Sequence, residues 1–135
     1  NGLFVASGTV NITNNLFQAN TLGASLYATN GFGEEPSYTN PIITFYGNTF
    51  DSNVRDGIFS ERYPGSTTRD VFATVGGTGP GQKNFFRNYA PPKFHAISCY
   101  NTTPNVKCPL NGNFFDHSGD DVEQPACNSA CVSTP

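Results

Sequence analysis

Acid–base chemistry is conceivable in one short stretch of this sequence. Asp116, His117, Asp120 and Asp121 fall within six residues near the C-terminal end. Two carboxylates can hydrolyse a glycosidic bond when they stand roughly 6.5–9.5 Å apart across the sugar. Asp120 and Asp121 are adjacent, so on a strand they would point to opposite faces. We therefore predict no catalytic residues here, and these four are only weak candidates. A solvated turn is the preferred interpretation.

The same acidic stretch is the place to look for a metal. An Asp-rich turn can bind Ca²⁺ through its carboxylate oxygens. The residues here lack the spacing of a calcium loop, so a calcium site is a minor alternative. The sequence predicts no metal site and no cofactor.

Four cysteines lie in the last third of the chain: Cys99, Cys108, Cys127 and Cys131. An even count in a polar, weakly charged chain is typical of disulfides and of an oxidising compartment. Three pairings are conceivable. The two local ones, Cys99–Cys108 and Cys127–Cys131, are favoured because each closes a plausible surface loop. A zinc site is the rival, but there is no Cys-x-x-Cys pair and the chain has only two His.

Two sequons predict N-linked glycans on Asn11 and Asn101. They read Asn11-Ile12-Thr13 and Asn101-Thr102-Thr103. Sequons also arise by chance in any chain rich in Asn and Thr, so they are weak evidence. Together with the cysteines they favour an extracellular or cell-surface protein.

Composition limits the classes of partner. A chain of 135 residues fits one domain. Seven basic residues are scattered among ten acidic ones, for a net charge of −3, so nucleic acid is not an expected partner. No run approaches the ~18 apolar residues of a membrane helix. The chain begins at Asn1 and has no Met, and we interpret position 1 as a processed end or a fragment edge.

The elements that must position these residues are marked by a repeated phrase, Asn-x-Phe, usually followed by a second Asn. It begins at Asn15, Asn48, Asn84 and Asn113, with spacings of 33, 36 and 29 residues. Short β-type runs such as Val10–Ile12 and Ile42–Phe45 precede the phrase, and we predict that the phrase itself forms a turn. A non-helical repeat near 33 residues indicates a solenoid.

The repeat resembles the right-handed parallel β-helix, the pectin-lyase-like solenoid. The residues that carry the resemblance are the Asn-x-Phe-x-x-Asn phrases at 15–20 and 48–53 and the Gly and apolar run after each. The phrase is also similar to repeats of bacterial adhesins and autotransporter passengers. The resemblance implies an all-β solenoid of about four coils over residues 1–122, with residues 123–135 as a disulfide-containing cap or tail. A β-sandwich is the alternative fold.

The resemblance also suggests a test for polysaccharide cleavage. The Asn-Thr-Asp and Arg-x-Lys phrases of pectin hydrolases are both absent from this chain. An enzyme is therefore the alternative rather than the expected function.

Stacked coils give the repeated residues a physical role. Neighbouring coils lie about 4.8 Å apart, so equivalent side chains stand one above another. We predict a ladder of hydrogen-bonded amides from Asn15, Asn48, Asn84 and Asn113. Asn also tolerates the left-handed conformation that tight turns need. Beneath it, inward-pointing rings stack, from Phe17, Phe50, Phe86 and Phe115.

The expected function is structural. A repeat that builds rigidity, without recognisable chemistry, indicates an extracellular surface protein. The first ten residues carry no charged side chain and resemble a strand that needs a neighbour. The expected partner is therefore another copy, stacked head to tail into a fibre, or more of the same polypeptide, as in a longer adhesin. Glycan binding through exposed Tyr residues is a third alternative.

Overall fold

The computed structural model describes residues 1–29, 39–63, 68–88, 95–100, 105–109 and 111–116. These residues form twelve short β-strands and no helix. The strands are β1 (Leu3–Val5), β2 (Thr9–Thr13), β3 (Leu16–Gln18), β4 (Leu22–Ala28), β5 (Ile42–Tyr46), β6 (Thr49–Asp51), β7 (Asp56–Arg62), β8 (Phe72–Val75), β9 (Asn84–Arg87), β10 (Ile97–Tyr100), β11 (Val106–Lys107) and β12 (Asn113–Phe115).

Every third strand along the chain joins the same sheet. Sheet A has the order β1-β4-β7-β10, sheet B the order β2-β5-β8-β11, and sheet C the order β3-β6-β9-β12. All pairings between described strands are parallel. The chain thus passes through sheets A, B and C and begins again one coil further on. This is a parallel β-helix of about four coils, as predicted, and the parallel pairing rules out a β-sandwich. Parallel crossovers are nearly always right-handed.

Alternation along the strands of sheets B and C separates core from surface, whereas β4 of sheet A is buried at six of its seven positions. In β5, Ile43 and Phe45 are buried while Ile42 is exposed. Because equivalent residues of successive coils are paired, the inward positions form columns, such as Ile12, Phe45 and Val75. Residues of the three sheets meet in one apolar core that runs along the solenoid axis.

The Asn-x-Phe phrase lies at the start of a strand rather than in a turn. β3 and β6 begin one residue after Asn15 and Asn48, and β9 and β12 begin at the Asn itself. The prediction of a turn was wrong because Phe, the third residue of the phrase, is inward and supports a third sheet. The Asn stands at the corner between sheets B and C.

One glycine position brings successive coils into close contact between sheets C and A. A Cβ on Gly23 would lie 2.5 Å from the carbonyl oxygen of Gly57 and 2.8 Å from Cδ1 of Phe50. A Cβ on Gly57 would lie 2.7 Å from the carbonyl oxygen of Ala96. A side chain has no room there between the coils, so the glycines allow the phenylalanine column to pack against the backbone.

The corner between sheets A and B is held by Arg69. Its guanidinium donates hydrogen bonds to the backbone carbonyls of Ala6, Thr29 and Thr39. These carbonyls belong to the first two coils, whereas Arg69 belongs to the third. A single cation therefore ties three coils together at one corner.

The two ends of the solenoid are formed by different sets of strands. β1, β2 and β3 are the edge strands at the N-terminal end, and β10, β11 and β12 are the last described strands at the other end. In the described part of the chain, no helix is long and apolar enough to cross a membrane.

Candidate functional site

The predicted asparagine ladder runs through the corner between sheets B and C. The Oδ1 atom of Asn48 accepts hydrogen bonds from the backbone N–H and the Nδ2 atom of Asn15, at 3.0 and 3.3 Å. Asn84 Oδ1 accepts the same pair from Asn48, at 2.9 and 3.1 Å. Asn113 Oδ1 accepts from Asn84 Nδ2 at 3.0 Å. The structure thus joins all four predicted residues in one continuous, directional chain.

Each inner amide also holds the preceding coil. Asn48 Nδ2 donates to the carbonyl of Ile12 at 2.8 Å, and Asn84 Nδ2 to that of Phe45 at 2.9 Å. Asn113 Nδ2 donates to Val75 at 2.8 Å. Asn48 and Asn84 are fully buried. A buried amide without partners costs about 1–3 kcal/mol, and the ladder avoids that cost at every coil.

The left-handed backbone conformation falls on residues beside the ladder rather than on it. Asn14, immediately before Asn15, has φ 57°, and Gly47, immediately before Asn48, has φ 68°. None of the four ladder residues has positive φ. The tolerance of Asn for this conformation is therefore used at Asn14 and not on the ladder itself. In the first two coils the residue before the ladder Asn makes the bend.

A second, shorter ladder follows the phenylalanines. Asn53 Oδ1 accepts from the backbone N–H of Asn20 at 3.1 Å, and Asn53 Nδ2 donates to the carbonyl of Phe17 at 3.0 Å. In the third coil, Asn88 stands one position earlier in the repeat than Asn20 and Asn53 do in theirs, and it has another role. It follows Arg87, the partner of Asp51, and like Ser52 it has φ near 54°. Asn88 is thus the left-handed residue of the third coil's turn.

The phenylalanine column is also present. Phe17 and Phe50 stack with ring centroids 4.9 Å apart, as do Phe50 and Phe86. Phe86 and Phe115 are 5.1 Å apart, and all three pairs are close to parallel. The separation matches the rise per coil, about 4.8 Å. Such pairs add about 0.5–1.5 kcal/mol each beyond burial.

On the outer face of sheet C, the structure brings the candidate Asp116 together with three polar residues that the sequence pattern did not single out. The outward column is Gln18, Asp51, Arg87 and then Asp116, which directly follows β12. Asp51 accepts hydrogen bonds from Gln18 at 3.1 Å and from Asn88 Nδ2 at 2.7 Å. The hydrogen bond from Asn88, then those from Ser52 and Gln18 and the charge of Arg87, lower the pKa of Asp51.

Of the weak catalytic candidates, Asp116 alone lies within the described residues; His117, Asp120 and Asp121 lie outside them. Asp116 accepts a hydrogen bond from the backbone N–H of Asn88 at 2.6 Å. Asp116 and Asp51 therefore share Asn88 as a donor. A general acid at neutral pH requires a raised carboxyl pKa, and the pKa of Asp51 is shifted the opposite way.

A groove lies beside this face, under the glycine-rich segment between β8 and β9. Its volume is about 580 Å³, which is within the usual range of small-molecule sites. Phe85 and Lys83 contribute an aromatic ring and a positive charge. The remaining lining residues are small or polar: Asn14, Gly47, Thr78, Gly79, Pro80 and Gly81. The guanidinium of Arg87 lies 5.0 Å from the centre of the Phe85 ring.

Sheet A carries a separate aromatic cluster on its outer face. Tyr27 lies between Phe4 and Phe59, with ring centroids 5.3 and 5.9 Å apart. Burial, and secondarily the charge of Glu61, raises the pKa of the Tyr27 hydroxyl. Of the Tyr residues considered for glycan stacking, Tyr63 and Tyr100 are exposed and Tyr46 is half-buried; Tyr38 and Tyr89 lie outside the described residues.

His95 lies just before the last described strand of sheet A. β10 begins at Ile97, and His95 is half-buried, next to the buried Ala96. Its backbone N–H donates to Asp56 Oδ1 at 3.4 Å, and Ser98 Oγ donates to the same atom at 2.8 Å. The buried Asp56 therefore organises the start of the fourth coil, a role that its sequence context does not reveal.

The remaining predicted residues are only partly described. Cys99 and Cys108 are buried, and both are disulfide-bonded in the structure. Cys127, Cys131 and Asn101 lie outside the described residues, and the pairing stays a prediction. Asn11 is exposed on sheet B, with Thr13 of its sequon exposed two residues on. Among the described residues, no group of three or more His, Cys, Asp or Glu could hold a metal ion.

Comparison with known proteins adds no relative. No family model, no curated protein and no solved structure matches this chain. The description of the chain as a parallel β-helix therefore rests on its own strand pairing and side-chain ladders.

Proposed function

We propose that this protein is a rigid β-helical element of an extracellular or cell-surface protein, which extends end to end by stacking. The observation that carries the proposal is the continuous Asn15–Asn48–Asn84–Asn113 ladder beside an unbroken phenylalanine stack. Apart from Asn15 and Phe17 at the N-terminal end, the residues of both stacks are buried in contacts between coils. The repeat therefore serves stiffness and length, as expected of a fibre subunit or of a segment of a longer adhesin.

Three features support the extracellular assignment. Asn11 and Thr13 are exposed together, so the first sequon is sterically open to a glycan. Cys99 and Cys108 are disulfide-bonded, which suits an oxidising compartment. The low share of charged residues, 13 %, suits a neutral stacked polar surface.

Localisation and modification test the proposal directly. Antibodies raised against the purified chain should label the surface of intact cells of the source organism. The intact mass of native material should fall on enzymatic deglycosylation and rise on reduction with thiol alkylation. Labelling that appears only after the cells are broken open, together with four free thiols, would contradict an extracellular role.

A second candidate function, glycan binding, is supported by the groove of about 580 Å³ beside Phe85. An aromatic ring can stack on the C–H face of a sugar, and Lys83 would favour a sugar that carries a carboxylate or sulfate. Thr78 and Gly79 of the adjacent loop also line the groove. The site would make the protein an adhesin as well as a spacer.

A glycan array tests this second function. The native chain should bind a defined set of acidic glycans, and Phe85→Ala and Lys83→Ala should each lower that binding at least about tenfold, or about 1.4 kcal/mol. Phe72→Ala is the matched control, because it removes an outward phenylalanine that lies on sheet B, away from the groove. Equal loss in all three variants, or no binding by the native chain, would count against the groove.

Polysaccharide cleavage is the rival function. Incubation with polygalacturonate and related glycans would reveal it as new reducing ends or unsaturated products. Turnover that is lost in Asp116→Ala, Asp120→Ala or Asp121→Ala would replace the structural proposal with an enzymatic one. Asp51→Ala belongs in the same series, because Asp51 and Asp116 share Asn88 as a donor.

A further inference from the structure

The N-terminal end of the solenoid lacks the usual protection of strand edges. Natural proteins place charges, proline or bulges on exposed edges to prevent unwanted pairing. β1, β2 and β3 contain neither a charged residue nor a proline. The first charged side chain in the sequence is that of Glu34. Three neighbouring edges are therefore open to a further set of parallel strands.

The side chains at this end are arranged as acceptors for one more coil. Each ladder Oδ1 accepts hydrogen bonds from the Asn of the coil before it. Asn15 Oδ1 has no such coil before it in this chain, and Asn15 Nδ2 turns back to the carbonyl of Thr13 at 2.9 Å. Asn48 Nδ2, at the equivalent position, instead reaches across to the preceding coil.

The burial of side chains on sheet C also differs between the two ends of the solenoid. Phe17 at the N-terminal end is half-buried, and the ladder residue Asn15 is exposed. At the other end, Phe115 is 2 % exposed, Val106 is 1 % exposed and Cys99 is fully buried. Val5 and Ile12 of the first coil are also buried, so the difference between the ends lies on sheet C. There the N-terminal end is the open one, and Phe115 of the last coil is not available to a second copy.

We infer that the N-terminal end is a docking face for one further β-helical coil with the pattern apolar-x-x-Asn-x-Phe, and that this coil is not the last coil of a second copy. The inference rests on the proposed structural function and deepens it by naming the partner's chemistry. The incoming Asn donates its N–H and Nδ2–H to Asn15 Oδ1. Its Phe stacks on Phe17, and the carbonyl of its apolar residue receives Asn15 Nδ2.

An extended chain tests the inference. A duplicate of residues 22–55, a complete coil, is joined directly before Asn1. That join preserves the register, because Leu3 and Ala24 are equivalent. Hydrogen exchange of the amides in β2 and β3 should slow about tenfold or more relative to the natural chain, because those edges become paired. The matched control carries Asn48→Asp and Phe50→Ser in the added coil alone, and should restore fast exchange.

Two results would overturn the inference. One is unchanged exchange in β2 and β3 while the rest of the extended chain keeps its native protection. The other is concentration-dependent head-to-tail oligomers of the natural chain in analytical ultracentrifugation, because the occupant would then be a second copy. Neither result depends on surface labelling, so the proposed extracellular role can fail or survive independently.

Discussion

At the scale of single residues, the ladder amides are the positions least tolerant of change. Asn48 is fully buried and both donates and accepts hydrogen bonds between three coils. Replacing it with Ala removes the Nδ2 donor to the Ile12 carbonyl and the Oδ1 acceptor of the Asn15 backbone N–H, while Asn84 Oδ1 keeps the backbone N–H of residue 48.

We expect Asn48→Ala to lower the free energy of unfolding by about 2–4 kcal/mol, given about 1–3 kcal/mol for each buried group left unsatisfied. Urea denaturation measures this loss. The control is Asn15→Ala at the exposed end of the ladder, which should cost clearly less. Equal losses of unfolding free energy in the two variants would show that burial of a ladder residue does not determine the size of the loss.

The hydrogen bonds to Asp51 predict an acid dependence of stability. They lower the pKa of the folded carboxyl from its ordinary value of 3.8. A lowered pKa contributes stability that is present above the unfolded value and is lost as the pH falls through the folded value. Asp51→Asn should therefore flatten the loss of stability below about pH 4. Because this carboxyl is largely exposed, the effect is small.

Urea midpoints at several pH values between neutral and acidic measure this difference. Gln18→Leu removes one of the donors and should give an intermediate acid dependence. If the stability of Asp51→Asn falls with decreasing pH as steeply as that of the natural chain, other carboxylates cause the acid dependence.

At the scale of strands and corners, close approach of the coils determines which residue is allowed. A Cβ at position 23 would stand 2.5 Å from the Gly57 carbonyl oxygen and 2.8 Å from the Phe50 ring. Gly23→Ala therefore overpacks the contact between coils.

We expect Gly23→Ala to destabilise the protein by about 1–3 kcal/mol, the usual range for overpacking. Thermal unfolding followed by circular dichroism would show the loss. Ala96→Gly is the variant for comparison with Gly23→Ala. Ala96 occupies the equivalent position in the last coil, and a Cβ fits there. A Gly23→Ala variant as stable as the natural chain would mean that the coils shift apart freely.

At the scale of the whole molecule, a solenoid is held together by contacts between neighbouring coils. The first coil has a neighbour on one side, whereas the second and third are packed on both. We therefore predict a gradient of hydrogen exchange, with fast exchange in β1, β2 and β3 and slow exchange in β5, β6, β8 and β9. Mass spectrometry of exchanged, proteolysed protein would measure it. Uniform protection along the solenoid would indicate a single all-or-none unit instead.

The sequence by itself determined the architecture. A repeated Asn-x-Phe phrase at spacings near 33 residues requires equivalent side chains to coincide once the chain coils. Both ladders, Asn15 to Asn113 and Phe17 to Phe115, could be predicted because the stacked residues are of identical type. Chemical identity along the sequence is enough to reveal such a column.

Tertiary structure alone decided where unlike residues meet. Gln18, Asp51, Arg87 and Asp116 are not of one residue type, so their outward column could be found only through the register of the coils. The role of Asn88 as a left-handed turn residue depends on the same register, because a shift of one residue along a strand reverses the face of every side chain. The enclosed Asp56 and the Arg69 corner likewise arise from residues far apart in sequence. The repeated pattern specifies that the coils stack. The lengths of the loops between strands set the register of the coils, and the register determines which unlike residues become neighbours.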